Sequence, residues 1–234
     1  MAPVKEEVTE HVKKKPRINC DSFDNMVVII VGKDSIAFNM HRGMLCNVAP
    51  YFKAAFDGRF NEAKSKVLVL SEDDPEVFKR FQLWVYTDKV LEKGEAYGDI
   101  SWTTLIELYV FGSIRGITDL QNAVVDILID KSKSDNEVPT GDLQYIYNNT
   151  PEGSPLRRLL IDWTVFKGVL TSESWFSEDL RCVYPADFLF DVASAQYVMI
   201  CSKKPRVKDF KASRQDYYVV QSDAPSGKAT HGSG

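Results

Sequence analysis

The strongest constraint on the fold is a continuous run of apolar, mostly β-branched residues, Met26–Val31, followed closely by a run with a different pattern. A continuous apolar run of this length is typical of a strand that is covered on both faces. Between residues 36 and 41 the larger apolar side chains occupy every second position, which is typical of a half-buried strand. Because residues 32–35 have the composition of a turn, the two runs are predicted to pair as a hairpin. A third strand is predicted at residues 66–70.

Helical patterns surround these strands. Residues 42–56 carry apolar side chains at helical spacing that is interrupted at Pro50, which predicts two short helices with Pro50 opening the second. Asp74 followed by Pro75 predicts the start of a further amphipathic helix, since aspartate caps a helix and proline fits its first turn. A short strand is predicted beyond that helix, at residues 90–91.

The second half of the chain is predicted to be helical. Ser101 is predicted to cap one helix, and residues 118–121, Thr-Asp-Leu-Gln, have the pattern of a capping box that opens another. Residues 131–138 are predicted to be a charged linker. Three more helices are expected beyond it, the first around Ile146, the second opened by Pro155 and the third by Pro185.

Both ends of the chain are predicted to be disordered, because residues 1–20 and 202–234 lack an apolar stripe. Each end carries the string KKPR. A basic cluster of this kind is typical of a nuclear import signal, and it is equally compatible with a solvated tail. The candidate import residues are Lys13, Lys14, Lys15 and Arg17 at one end and Lys203, Lys204 and Arg206 at the other.

Charge and cysteine usage restrict the partners. The net charge of −4 and the sequence pI of about 5.5 argue against direct binding to nucleic acid. No run approaches the ~18 apolar residues of a transmembrane helix. The four cysteines form no CxxC pair, which fits a reducing compartment, so an intracellular protein of the cytoplasm or nucleus is expected, with no metal site and no cofactor.

Catalysis is not expected. Of the three histidines, two lie in the predicted tails, so a catalytic constellation would need His41. Cys46 follows it by five residues, but no third group that would orient the pair is evident. A structural role is favoured for His41, whose ring would tie the second strand to the helix that follows. Glycine-rich phosphate loops and zinc-protease motifs are also missing from the sequence.

A set of motifs in a fixed order runs from residue 23 to residue 130. They are HRGML at 41–45, PYF at 50–52, FNEA at 60–63, EDDPEVF at 72–78 and WVYT at 84–87, with a weaker echo from Tyr109 to Ala123. In this order they resemble the BTB/POZ domain, in the short form common among fungal proteins. The resemblance implies a small mixed β-sheet packed against an α-helical cluster over residues 21–131, and a function in protein–protein interaction. With the all-α extension predicted at residues 139–201, the chain is expected to be α+β.

One short motif carries the sharpest functional hypothesis. In cullin-binding members of the family, a hydrophobic residue, any residue and glutamate stand in the loop before the third strand, and Phe60, Asn61 and Glu62 match this pattern. The resemblance implies a substrate adaptor of a cullin-based ubiquitin ligase. Phe60 would be a hydrophobic anchor and the Glu62 carboxylate would lie at the rim of the interface. The helices after residue 142 would enlarge that interface. The same motif has a purely structural explanation, in which Phe60 packs under the sheet and Glu62 is a solvated surface charge.

The alternative function is a nuclear self-associating or corepressor-type scaffold without a ligase link, which the two KKPR strings favour. Many family members dimerise by exchanging an N-terminal strand, but the segment before Met26 is short and charged here, which argues against that homodimer. Trp175 and Phe176, in a Ser/Glu-rich stretch, are predicted to form an exposed partner surface. The other aromatic residues of the C-terminal half, Phe190 and Tyr197 among them, are predicted to lie in the core.

Overall fold

The structure is a computed structural model, and it describes residues 19–57, 61–166, 184–201 and 213–220. Its described strands form one three-stranded sheet with the order β2–β1–β3. The strands are β1 (Met26–Val31), β2 (Ile36–His41) and β3 (Val67–Leu70). β1 pairs antiparallel with β2 and parallel with β3, so the predicted hairpin and the small mixed sheet are both confirmed.

Nine α-helices are found within the described part of the chain. They are α1 (Arg42–Val48), α2 (Pro50–Asp57), α3 (Asn61–Ser65), α4 (Pro75–Thr87), α5 (Trp102–Ile114), α6 (Thr118–Ser134), α7 (Leu143–Asn149), α8 (Pro155–Phe166) and α9 (Ala186–Cys201). Short 3-10 turns occur at Cys20–Phe23 and Arg214–Tyr217. Helices on a small mixed sheet, followed by further helices, confirm the α+β class.

Local signals set several of these helix starts. The Asp74 carboxylate accepts the backbone N–H groups of Glu76, at 2.7 Å, and Val77, at 3.2 Å, and Pro75 occupies the first turn of α4. Ser101 accepts the N–H of Thr104 at 3.0 Å at the start of α5. Each cap satisfies backbone donors that have no partner inside the helix, so these predicted starts are confirmed.

An aromatic cluster joins the helices under the sheet. Phe81 of α4 stacks on Phe52 of α2 with a centroid distance of 5.6 Å, and it lies 4.9 Å from Phe111 of α5. Phe78 of α4 contacts Phe38 of β2 at 4.8 Å. These rings belong to one continuous core of buried apolar side chains that also includes residues of α7, α8 and α9. The helices beyond residue 142 therefore share a core with the sheet and its helices.

Three predictions about the strands need correction. β1 is fully buried on one face only, because Val28 and Ile30 on the other face are half-buried. In β2 the alternation holds for Met40, which is buried, whereas Ile36 is exposed. Residues 90–91 are not a strand, since Val90 is buried in a turn where its carbonyl accepts from Arg80.

Two predictions about α6 were also wrong. Residues 118–121 are not a capping box, because Ile117 occupies the cap position and Thr118 is already helical. The charged linker begins later than expected, since α6 continues to Ser134. Lys131 in this stretch is 3% exposed, and its ammonium pairs with Asp135 at 2.7 Å and donates to the carbonyl of Tyr97 at 3.0 Å. Internal partners allow a lysine to be buried where sequence alone indicates solvent.

Candidate partner-binding site

The segment that carries the predicted cullin motif leads from α2 into β3. Residues 61–65 form the short helix α3, which corrects the expectation of a loop. Glu62 lies in its first turn and Lys64 in its last, as the helix dipole favours. The helix ends at Ser65, and the next residue, Lys66, has a φ of +58° and donates its N–H to the Glu62 carbonyl at 2.9 Å. This left-handed residue turns the chain directly into β3.

The structure places the three predicted anchor residues unequally. The Glu62 side chain is half-buried, and no ion-pair or hydrogen-bond partner is found for its carboxylate within the described part of the chain. For Asn61 the backbone is helical and the side chain lies outside what the structure describes. Phe60 also lies outside the described residues. The backbone of α3 and β3 therefore sets the position of the half-buried Glu62 side chain.

The helix before this segment is held at both ends. Arg42, at the start of α1, forms an ion pair with Asp57 at the end of α2. At the other end, the Arg115 guanidinium lies 5.3 Å from the ring centroid of Tyr51 and 3.8 Å from that of Phe111. Cation–π contacts of this kind are stronger where water is excluded. Helix α2, which precedes α3 in the chain, is consequently held in place at both of its ends.

Arg115 is itself buried and pairs with the carboxylate of Asp73, just before α4. Burial raises the pKa of Asp73 above its ordinary value, and the charge and hydrogen bond of Arg115 act against that rise. The pair therefore connects the end of α5 to the start of α4 and closes the helical cluster beneath Tyr51.

His41 has a structural role, although with a different partner from the predicted one. Its backbone N–H donates to the Tyr86 hydroxyl at 3.0 Å, and its Nδ1 lies 2.9 Å from the same oxygen. The ring therefore ties β2 to the end of α4, not to α1. Burial raises the pKa of the Cys46 thiol, despite the opposing charges of Arg42 and Lys53, which disfavours a reactive thiolate.

Helices α7 and α8 are joined by one buried cation. The Arg157 guanidinium donates to the Thr150 hydroxyl at 3.0 Å and to the Tyr147 carbonyl at 2.7 Å, and lies 4.2 Å from the Tyr147 ring centroid. It thereby holds α7 against α8. Trp163 of α8 meets Trp102 of α5 edge to face at 6.4 Å. The α7–α8 pair is thus a fixed neighbour of the sheet–helix unit.

The remaining predicted site residues cannot be placed. Trp175 and Phe176 lie outside the described residues, and so do the basic residues of both KKPR strings. In the described ranges, no group of three or more His, Cys, Asp or Glu side chains could hold a metal ion. Over the same ranges, no helix combines the length and the apolar character that crossing a bilayer demands.

One exposed apolar surface was missed by the sequence. Phe190 and Tyr197 of α9, predicted to be in the core, are 72% and 68% exposed. They share the outer side of the helix with other exposed apolar side chains, Leu189, Val198 and Ile200. The available signal was the composition of α9, whose apolar residues are too many for a single buried stripe.

Comparison with known proteins agrees with this architecture. The BTB/POZ domain model matches residues 18–132. The chain is similar to Kelch-like protein 40 of Xenopus tropicalis, with 33% identity over 76 residues, and to Kelch-like protein 40 of Xenopus laevis, with 32% over 76 residues. Each match covers 32% of this chain and only 12% of the relative. BTB/POZ domains are protein-interaction modules and generally not enzymes. Together, the motif order, the mixed sheet with its helical cluster and the match of the family model identify residues 18–132 as a BTB/POZ domain.

Proposed function

We propose that this BTB/POZ protein is a substrate adaptor that binds a cullin scaffold of a ubiquitin ligase through residues 60–62. The observation that carries the proposal is the state of Glu62, which is half-exposed on α3 and has no ion-pair partner among the described residues. A carboxylate that has no ion-pair partner among the described residues is available to orient an incoming basic partner.

In this proposal Phe60 supplies most of the binding energy and Glu62 supplies orientation. A large aromatic side chain that enters a groove on the partner is the usual energetic centre of an interface. Glu62 at the rim remains partly solvated, so its contribution to affinity is smaller and depends on salt. Asn61 lies between the two and sets their spacing.

The α7–α8 pair is proposed to enlarge this interface. Arg157 and the Trp102–Trp163 contact hold the pair in place before any partner arrives. A surface that is ordered in advance loses little conformational entropy on binding. Trp175 and Phe176 are proposed as a separate surface, for the protein that the adaptor recruits.

Titration of the full chain with a purified cullin N-terminal domain tests the proposal. We expect Phe60→Ala to weaken binding by about 2 kcal/mol or more. Glu62→Ala should weaken it several-fold, with a loss that shrinks at high salt. Ile36→Ala and Glu76→Ala are matched controls, because both side chains are exposed and lie on β2 and α4. Absence of binding by the wild type, or unchanged affinity of both folded variants, would contradict the adaptor function.

Self-association is a second candidate, favoured by the outer side of α9. The exposed apolar side chains there, from Leu189 to Ile200, are accompanied by no exposed charged residue between them. In a two-fold symmetric dimer the same patch meets itself, so a patch whose only exposed charge is Asp187 at its N-terminal edge limits like-charge repulsion. The mass of the full chain in solution, compared with that of Phe190→Glu, tests this candidate.

Location in the nucleus or cytoplasm also stays a proposal, as does assignment to the short fungal form of the domain. A reporter fused to residues 1–20 should accumulate in nuclei if its KKPR string is an import signal, and replacement of Lys13, Lys14 and Lys15 by alanine should abolish the accumulation. A reporter that stays evenly distributed would assign this string to a solvated tail.

A further inference from the structure

The chain places one of its own peptides in a groove of the helical region. Residues 213–220 lie within the segment predicted to be a disordered tail, yet they pack against α6 and α8. We call residues 213–220 the C-terminal peptide. It begins with a 3-10 turn in which the Ser213 N–H donates to the Asp216 carboxylate at 2.9 Å, and the turn ends at Tyr218, whose backbone is extended.

One row of side chains on α6 faces the C-terminal peptide. Asn122, Asp126 and Asp130 follow one another at intervals of four residues, which places them on one side of the helix. Asp162 of α8 faces the peptide from the other side. We call these four side chains the α6–α8 groove. Three of the four are carboxyl groups, so the groove favours a ligand with a cation and hydroxyl donors.

Arg214 provides the cation. Its guanidinium forms two hydrogen bonds to the Asp130 carboxylate, one of them at 3.0 Å, and lies 3.6 Å from a carboxylate oxygen of Asp126. A two-pronged contact between a guanidinium and a carboxylate selects arginine over lysine, because only arginine has the matching planar fork.

Two consecutive tyrosines provide the hydroxyl donors. The Tyr217 hydroxyl donates to Asp162 of α8 at 2.7 Å, and the Tyr218 hydroxyl donates to Asp126 of α6 at 2.7 Å. Burial, together with these carboxylates, raises the pKa of both phenols, which keeps them protonated as donors. Tyr217 is only 2% exposed. The peptide therefore reaches both helices with adjacent residues.

The fourth contact is made by Asn122 to the backbone of the C-terminal peptide. The side-chain amide of Asn122 accepts the Val219 N–H at 2.8 Å and donates to the Val219 carbonyl at 3.3 Å. Both backbone polar groups of Val219 are satisfied by a single side chain, as when a peptide is bound through its main chain. This contact holds the backbone of Val219 without specifying its side chain.

From these four contacts we infer that the α6–α8 groove is a recognition site for peptides of the pattern Arg-x-x-Tyr-Tyr-x, where the last residue is bound through its backbone, and that the chain occupies it in cis with residues 214–219. A partner protein that carries the same pattern would bind by displacing this peptide. The inference does not depend on cullin binding, since none of its contacts involves residues 60–62.

Cis occupancy sets the affinity that a partner needs. A tethered segment is present at an effective concentration on the order of 1 mM, so even a weak intrinsic contact keeps the groove filled. Free peptide should therefore bind the wild-type chain poorly and should bind much better when the cis contacts are weakened. Addition of a phosphate to Tyr217 should prevent binding, because it places a dianion against Asp162.

The test measures binding of a fluorescent peptide with the sequence of residues 213–220 to the full-length protein by anisotropy. The double variant Arg214→Ala/Val219→Pro weakens the cis contacts and leaves the groove intact. It should bind the peptide at least tenfold more tightly than the wild type. Added Asn122→Ala should reverse that gain at least tenfold, whereas added Asn39→Ala, an exposed asparagine on β2, should leave it unchanged. A peptide phosphorylated at Tyr217 should bind at least tenfold more weakly.

Failure of the folded double variant to bind at about 1 mM peptide, or equal binding of a scrambled peptide, would overturn the inference. Hydrogen exchange of the wild-type protein decides the matter if the double variant does not fold. Residues 213–220 should then exchange through a local opening that leaves α6 and α8 protected. Exchange of all three segments together, only on global unfolding, would show that the peptide is a fixed part of the core and would also overturn the inference.

Discussion

Helices α4 and α9 both carry apolar side chains at many positions, but only α4 buries them as a single stripe. In α4 the buried positions are Val77, Phe78, Phe81, Trp84 and Val85, all on the side that faces the sheet and α5. In α9 only Phe188 and Val192 are buried, and five large apolar side chains are exposed on the opposite side. An apolar stripe limited to one side of a helix specifies the face that packs in the core. Apolar residues on both sides of a helix leave one apolar face exposed, which indicates a second interaction surface.

The largest expected difference between the two helices is in stability. Phe81→Ala in α4 should lower the free energy of unfolding by about 4 kcal/mol, because it opens a cavity between Phe52 and Phe111. Phe190→Ala in α9 should change it by about 0.5 kcal/mol or less, since that ring is already in water. Guanidinium-induced unfolding of both variants measures the contrast. Equal losses would mean that α9 is buried in solution.

Two glycines differ in the space that surrounds them, and they extend the comparison from helices to single residues. A Cβ at Gly43 of α1 would lie 2.6 Å from the Cα of Ser22, whereas a Cβ at Gly141 would meet nothing within 4 Å. Gly43→Ala should therefore cost about 2 kcal/mol, since the backbone of the buried Ser22 would have to move. Gly141→Ala should be close to neutral. Thermal unfolding of the two variants checks the prediction, which fails if both are neutral.

A smaller effect on stability is expected from the titration of Glu95, which pairs with Arg80 of α4. The Arg80 guanidinium binds Glu95 at 2.5 and 2.7 Å and holds the pKa of Glu95 below its ordinary value, mainly through these hydrogen bonds. A lowered pKa in the folded state stabilises the protein above the unfolded pKa, and this contribution is lost as pH falls through the folded pKa. We expect a loss of about 1 kcal/mol below roughly pH 4.

Glu95→Gln should remove this contribution at neutral pH and flatten that part of the stability profile. Glu152→Gln is the control, because this exposed carboxylate has no ion-pair partner among the described residues. An acid profile that is the same for wild type and Glu95→Gln would refute the assignment to this pair.

The smallest expected effect on stability comes from charge on the outer side of α9. Phe190→Glu should leave the free energy of unfolding within about 0.5 kcal/mol of wild type, since the site is exposed. If α9 mediates self-association, the wild type should have twice the monomer mass at tens of micromolar by sedimentation, and the variant should be a monomer. A wild-type monomer would remove the self-association candidate and leave α9 free for another partner.

The sequence was most informative where local chemistry alone decides the structure. Asp74 and Pro75 predict the start of α4, because an N-cap and a first-turn proline affect the helix only through residues that are close in sequence. The hairpin of β1 and β2 follows from two runs and the turn between them. Helix α3 was missed because five residues are too few to display a helical period.

Long-range contacts account for the other differences. The sequence predicts a charged linker at Lys131, but in the structure its buried ammonium donates hydrogen bonds to the carbonyls of residues 97 and 98. Residues 213–220 have the composition of a tail, and their order depends on carboxylates of α6 and α8 that lie far away in the chain. Composition could predict neither, because in both cases the stabilising partner is chosen by the tertiary fold.

The most direct test of the central claim is a calorimetric titration of a purified cullin N-terminal domain into the full chain and into its Phe60→Ala/Glu62→Ala double variant. The adaptor function predicts a saturable heat for the wild type, and affinity at least tenfold weaker for the double variant at an unchanged unfolding temperature. No detectable binding by the wild type, or equal affinity of the two proteins, would contradict it.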